Sequence, residues 1–175
     1  MKIKQIIADL NSGDRNKIKK ALAYIKVEGN NTTLQPMLNI LKTELSSEFE
    51  EPIKDIFFNL KDSSSVEVII DLLRDDENSG QRSFLLTAIW NSSLDFSNYL
   101  PDFVGIAVDG DLMDAVDCLT IIENMEGPFE EHHVLESQLF LKEYLEDTAP
   151  KDPQKAQMIS EIALIIKDID QSIDG

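Results

Sequence analysis

Cysteine is almost absent from this sequence: its 175 residues include one, Cys118, together with 7 glycines and 6 prolines. A single thiol cannot form a disulfide within the chain, so a disulfide-stabilised scaffold is excluded and a reducing compartment is expected. So little glycine and proline excludes collagen-like and low-complexity chains. Hydrophobic residues make up 42% of the sequence. A chain of this length can bury about 70% of its unfolded surface, which predicts a single domain over residues 1–175.

Long apolar runs are also missing. No run approaches the ~20 residues that a membrane-spanning helix needs. Lys2, Lys4 and Asp9 interrupt the apolar residues at the start, which is unlike a secretory signal. We therefore expect a cytoplasmic protein with no membrane partner.

Positive charge is scarce, with 16 Lys and Arg against 33 Asp and Glu, for a formal net charge of −17. Such a charge repels phosphate backbones, so nucleic acid is not expected as a partner. The distribution is uneven, since residues 1–26 carry a net +5 and residues 27–175 carry −22. Some lysines of the basic segment fall in one predicted helix, where a solvated face is the more typical role than phosphate contact: Lys17, Lys19, Lys20 and Lys26.

Apolar residues recur at helical spacing along most of the chain, as in Ile53, Ile56, Phe57 and Leu60. Strand-like alternation is nearly absent, which predicts an all-α fold of about ten helices. Short polar clusters separate the helical stretches and predict antiparallel neighbours. The side chains predicted to cap helix starts are Asp14, Thr32, Ser63 and Asp111.

The helices repeat along the chain. Ile25, Phe57, Ile89 and Ile121 are each 32 residues apart. The position that follows each of them is held by Lys26, Phe58, Trp90 and Ile122. A helix pair that recurs at such a period is typical of an α-solenoid, in which no single pair buries its apolar face alone.

The first helix of a pair, beginning Asp14-Arg15, and the second, beginning Leu34-Gln35-Pro36, resemble HEAT repeats over residues 14–146, as four pairs. The resemblance implies a right-handed α-solenoid of about four to five antiparallel helix pairs, with the second helices on the concave side. Residues 1–13 are predicted to form an N-terminal cap, and residues 152–175 a C-terminal capping helix whose isoleucines serve as core or as an oligomerisation surface. An irregular helical bundle or a tetratricopeptide-type array is the alternative architecture.

Side chains able to support catalysis are few. Cys118 lies at helical spacing from Ala115 and Ile122, as expected of a small buried hydrophobe. No phosphate-binding loop or nucleophile elbow occurs. His132 and Glu136 share a helix face at i, i+4, but two ligands make a weak metal site, and the acids around them suit a helix start. No catalytic residue, metal or cofactor is predicted, and a HEAT-like metal-dependent or DNA-modifying enzyme is the alternative.

A protein-binding surface is the remaining hypothesis. On the second helices, polar residues opposite the core stripe form a row that becomes acidic toward the C-terminus and would attract a basic protein partner. Phe58 and Trp90 stand beside this row, either as apolar anchors or packed between repeats. The predicted contact residues are Gln35, Asn39, Phe58, Glu67, Asp71, Trp90 and Asp102, with Glu136 and Glu143 extending the row. The protein is thus predicted to be a non-catalytic interaction module, or alternatively an immunity-type inhibitor of a basic toxin.

Overall fold

The structure is a computed structural model that describes residues 2–174. This part of the chain forms ten α-helices and three short 3-10 helices and contains no strand. The α-helices are α1 (Ile3–Leu10), α2 (Arg15–Glu28), α3 (Leu34–Ile40), α4 (Ser46–Phe58), α5 (Ser64–Arg74), α6 (Arg82–Asn91), α7 (Leu100–Asp109), α8 (Leu112–Glu123), α9 (Glu131–Glu146) and α10 (Pro153–Asp174). The 3-10 helices are Asn31–Thr33, Asp76–Gln81 and Ser97–Tyr99. The all-α prediction and the expected number of helices are confirmed.

Two of the predicted helix caps are confirmed. The Asp14 carboxylate accepts hydrogen bonds from the backbone N–H groups of Asn16 and Lys17 at the start of α2. Asp111 and Asp114 form a reciprocal capping box at the start of α8. Each cap satisfies backbone donors that have no partner within the helix.

The other two predicted caps are wrong. The carbonyl oxygen of the Asn30 side chain accepts from the backbone N–H of Thr32 at 2.8 Å and caps the 3-10 helix Asn31–Thr33. Thr32 lies inside that helix, and α3 begins after it without a side-chain cap. Asp62 accepts from the backbone N–H of Ser64 at 2.9 Å, while the side chain of Ser63 makes no capping bond. Asn and Asp side chains reach the amide two residues ahead, which explains both shifts. Hydrogen bonds from Ser64 also lower the pKa of Asp62.

The first compact unit spans Met1–Leu94. In it α2 packs against α4, α4 packs against α6, and α3 packs against α5, while α1 covers α2 and α3. Phe49, Phe57 and Met37 are among its fully buried side chains. The rings of Phe57 and Phe84 meet edge to face with centroids 5.3 Å apart, a favoured aromatic geometry that joins α4 to α6.

The second compact unit spans Asp95–Gly175. Here α7 packs against α8 and α9, and α10 packs against the same two helices. Cys118 is fully buried, which confirms its prediction as a core residue. The isoleucine-rich side of α10 also belongs to the core, since Ile159, Ile162 and Ile166 are buried.

The repeating apolar position is buried in every helix that carries it. Ile25, Phe57, Ile89 and Ile121 lie on α2, α4, α6 and α8, and none is more than 4% exposed. Alternate helices therefore use equivalent positions to reach a core, as the period of 32 residues indicates. The right-handed solenoid and the single domain stay predictions.

No helix in the described part of the chain is long and apolar enough to cross a membrane.

Candidate functional site

Glu67 and Asp71 are the clearest acidic pair in the first unit. They stand one turn apart on α5, and both side chains are exposed. Among residues 2–174, no side chain forms an ion pair or hydrogen bond with either carboxylate. Both charges are therefore open to solvent, and their role in binding a partner stays a prediction.

Gln35 and Asn39, the predicted contact residues on α3, take part in an internal hydrogen-bond network. The side-chain amide of Gln35 donates to the Asn39 side chain at 2.9 Å and to the Asn78 side chain at 3.0 Å. Asn78 returns a hydrogen bond to Gln35 Oε1 at 3.1 Å and donates to the Leu72 carbonyl oxygen at 3.0 Å. Gln35 thereby links α3 to the segment that follows α5.

Asn78 is the residue that sequence reasoning missed. It lies in the polar segment between α5 and α6, whose composition predicts only an exposed break between helices. Asn78 is nevertheless 2% exposed. Its side chain also accepts a hydrogen bond from Lys42 Nζ at 2.7 Å. No local sequence signal distinguishes this asparagine from its polar neighbours, because its partners are 36 and 43 residues away.

The two predicted aromatic anchors differ in exposure. Trp90, near the end of α6, is 41% exposed, whereas Phe58, the last residue of α4, is half-buried. Tryptophan is strongly enriched among residues that dominate binding energy, so Trp90 is the better anchor of the two. α6 packs against α5, the helix that carries Glu67 and Asp71.

The basic residues of α2 are partly neutralised by α4. Arg15 Nε lies 2.7 Å from Glu48 Oε2, Lys19 Nζ lies 3.8 Å from Glu48 Oε1, and Lys26 Nζ lies 3.0 Å from Asp55 Oδ2. All three pairs are at the surface, where each is worth about 0–1 kcal/mol. These pairs reduce the basic surface that α2 could offer to a phosphate group.

Net charge is divided very unequally between the two compact units. Met1–Leu94 contains 12 basic and 14 acidic residues, a net of −2, whereas Asp95–Gly175 contains 4 basic and 19 acidic residues, a net of −15. Almost all of the net negative charge of the protein therefore belongs to the second unit. Of the predicted acidic row, the half-buried Asp102 on α7 and the exposed Glu136 and Glu143 on α9 belong to it.

The outer side of α9 combines these acids with exposed leucines. Leu135 and Leu139 are 55% and 54% exposed, and Glu136 and Glu143 are exposed as well. At 100° per residue these four side chains span roughly one third of the helix circumference, opposite the buried Val134, Ser137 and Leu141. We call Leu135, Glu136, Leu139 and Glu143 the α9 face.

The two histidines of the chain, His132 and His133, are adjacent at the start of α9 and lie close to the Glu130 carboxylate. One ligand atom from each of Glu130, His132 and His133 lies within 4.8 Å of the others. Glu136, which shares a helix face with His132, does not belong to this group. The structure thus brings three metal-ligating side chains together where the sequence indicates two.

One carboxylate of the second unit has a clearly perturbed acidity. Burial raises the pKa of Asp117 on α8, and the negative charges of Asp114 and Asp111 raise it further.

Comparisons of the chain with protein-family models, with curated proteins and with solved structures each found no match. The class that the structure defines is an all-helical protein. The resemblance to HEAT repeats stays a prediction that rests on the sequence pattern.

Proposed function

We propose that this protein is a non-catalytic protein–protein interaction module that recruits a basic partner, and that the α9 face is its principal contact surface. The observation that carries the proposal is the presence of two half-exposed leucines beside two exposed carboxylates on one side of a helix. An exposed apolar patch with a charged border is typical of an interaction site.

The leucines supply the apolar part of the contact. Full burial of a leucine side chain contributes about 1.5–3 kcal/mol, so covering the exposed half of Leu135 and Leu139 would contribute about 2–3 kcal/mol in total. This gain is reduced by the entropy lost on association, so the leucines alone give weak binding. A partner therefore needs a second favourable contribution.

The excess negative charge supplies that contribution. The second unit has only four lysines, and three of them are engaged internally. Lys155 Nζ donates to the Val108 carbonyl oxygen at 2.7 Å, Lys151 Nζ donates to the Asp147 carbonyl oxygen, and Lys142 Nζ lies 3.9 Å from Glu146. Most of its carboxylates therefore have no cation of the same unit to balance them. Such a field steers a basic protein toward the surface and speeds its association at low ionic strength.

Glu67, Asp71 and Trp90 form a further contact region in the same proposal. Their helices, α5 and α6, pack against each other, so one partner segment can meet both the acidic pair and the aromatic side chain. In the HEAT-like arrangement inferred from the sequence, α3 and α5 are the second helices of successive pairs.

The proposal is tested by an affinity pull-down from lysate of the source organism at low and at moderate salt, with mass spectrometry. The wild-type protein is compared with Glu136→Lys plus Glu143→Lys, with Leu139→Ser, and with Glu67→Lys plus Asp71→Lys. We expect a basic protein to be captured by the wild type and lost with the first two variants. Moderate salt should weaken its capture, since the Debye length falls to about 8 Å at 0.15 M.

A matched control separates a specific surface from general charge attraction. Glu44→Lys plus Glu50→Lys changes the net charge by the same amount, and both residues are exposed in the nearly neutral first unit. Capture should survive in this control. Equal loss with both double variants would show that only total charge matters, and unchanged capture by the α9 variants would contradict the proposed surface. A captured basic toxin would identify the immunity-type form of this function.

A further inference from the structure

We propose that Glu130, His132 and His133 form a site for one zinc ion at the start of α9. The three side chains offer two imidazole nitrogens and one carboxylate oxygen, the ligand set of many three-residue zinc sites that keep a fourth position for water. The proposal concerns a different set of side chains from the α9 face and does not depend on a protein partner.

The spacing of the ligand atoms fits a small tetrahedral ion. His132 Nδ1 and Glu130 Oε2 lie 3.3 Å apart. Ligands at 2.0–2.1 Å from a tetrahedral zinc lie about 3.3–3.4 Å from each other. The pair therefore already has the separation that a shared zinc ion requires, and a ligand atom of His133 lies within 4.8 Å of both.

His133 supplies an independent reason to expect a ligand. Its Nδ1 atom is buried and has no hydrogen-bond partner among the described residues. A buried polar atom without a partner is unfavourable, so native structures rarely leave one. The rings of His132 and His133 have centroids 4.1 Å apart, so the ring that carries the unpartnered atom lies against the other histidine of the cluster.

Electrostatics around the cluster favour a cation. The amino end of a helix carries partial positive charge, which opposes cation binding. Here Glu130 precedes the helix and Glu131 stands in its first turn, and the unit as a whole carries −15. These carboxylates offset the helix dipole at the point where the ion would sit.

Zinc differs from magnesium and calcium in that it readily takes imidazole nitrogen as a ligand. Magnesium and calcium take oxygen ligands and bind imidazole poorly. Millimolar Mg²⁺ therefore occupies the general negative surface and leaves a site with two imidazoles free for Zn²⁺. The site should then bind one Zn²⁺ per chain in the presence of excess Mg²⁺.

The test is isothermal titration of the full chain, without a histidine tag, with Zn²⁺ in buffer that contains excess Mg²⁺. The variants are His132→Ala and Glu130→Gln, whose side chains are 67% and 58% exposed and can change without disturbing the core. Glu146→Gln is the matched control, because it removes one negative charge at the opposite end of α9, is exposed and lies outside the α9 face. Co²⁺ serves as a second probe, because tetrahedral coordination gives it a strong visible absorption.

The expected result is one Zn²⁺ bound per wild-type chain, with affinity at least about tenfold lower in His132→Ala and Glu130→Gln and unchanged in the control. Even loss of an outer-shell partner typically costs 10–100-fold in metal affinity, so loss of a ligand should cost no less. Absence of zinc binding in excess Mg²⁺ would overturn the proposal. Equal binding by the wild type and both cluster variants would overturn it as well, because the zinc would then be held elsewhere.

Discussion

Replacement of Asn78 by alanine should destabilise the first unit more than its position in a polar segment suggests. Asn78 is 2% exposed and makes four hydrogen bonds through its side chain. They join three parts of the unit: α3 through Gln35, the segment after α3 through Lys42, and the end of α5 through the Leu72 carbonyl oxygen. Asn78→Ala removes all four at once.

The size of the effect follows from how well water can replace each bond. Lys42 is exposed, so its ammonium group is rehydrated at little cost. Leu72 is 6% exposed, and its carbonyl oxygen loses the Asn78 side-chain donor. Gln35 is half-buried and loses a donor and an acceptor, although it keeps Asn39. With about 0.5–1.5 kcal/mol for each of the three less accessible bonds, the expected loss is about 1.5–4.5 kcal/mol.

The measurement is the free energy of unfolding from urea titrations followed by far-UV circular dichroism. A shift in midpoint at unchanged slope would show a loss of stability without a change in the surface exposed on unfolding. Asn91→Ala is the control, because Asn91 is exposed and makes one side-chain bond, to the Thr87 carbonyl oxygen at 2.8 Å. It should cost well below about 1 kcal/mol.

A double-mutant cycle tests whether the loss arises from the reciprocal amide pair. Gln35→Ala and Asn78→Ala should be non-additive by about 0.5–3 kcal/mol, as is usual for residues in one hydrogen-bond network. If Asn78→Ala costs no more than Asn91→Ala, or if the two losses simply add, the network does not stabilise the protein as argued.

Three further predictions concern the second unit. Asp111→Ala should lower the free energy of unfolding by about 1 kcal/mol, because it removes the capping box of α8; a loss no larger than that of the exposed Asp109→Ala would contradict this. The pKa of Asp117 is raised in the folded state, mainly by burial, so its ionised form destabilises the fold above that pKa. Asp117→Asn should therefore stabilise the protein at pH 7, with a gain that disappears as the pH falls through the folded pKa toward 3.8; a gain independent of pH would refute the assignment. Tyr144→Phe should leave stability unchanged or raise it by up to about 1 kcal/mol, because the buried Tyr144 hydroxyl has no hydrogen-bond partner among the described residues; a clear loss in urea titrations would show that the hydroxyl is bonded in solution.

The division of charge changes where a basic partner is expected to bind. The sequence pattern places the acidic row on successive second helices, beginning with α3 and α5. The structure shows that the unit containing those helices is close to neutral, while the unit containing α7 and α9 carries −15. The net charge of each compact unit can be counted only when the boundary between the units is known. That boundary depends on contacts between residues that are distant in the sequence.

The local sequence was sufficient to predict the helices and two of the four helix caps. The period of the apolar residues identified the helical stretches, and Ile25, Phe57, Ile89 and Ile121 are all buried as their spacing indicates. Caps at Asp14 and Asp111 could be predicted because a carboxylate there reaches amides only two or three residues ahead. The prediction for Thr32 is wrong because this residue lies inside a 3-10 helix that Asn30 caps and that precedes α3. The prediction for Ser63 is wrong because Asp62 offers a competing acceptor to the first turn of α5.

Side-chain partners from distant parts of the chain could not be predicted in this way. The hydrogen bonds between Gln35 and Asn78 span 43 residues, and no spacing rule within one helix reports them. Helical periodicity within α9 cannot show that Leu135 and Leu139 stay half exposed, because exposure depends on which neighbouring helices cover each side. Sequence by itself therefore determined which segments are helical and which faces are apolar, since both depend on residues within a few turns. Only the tertiary structure decided which polar groups meet, where the charge concentrates and which side chains remain open to a partner, because these depend on the packing of helices far apart in the chain.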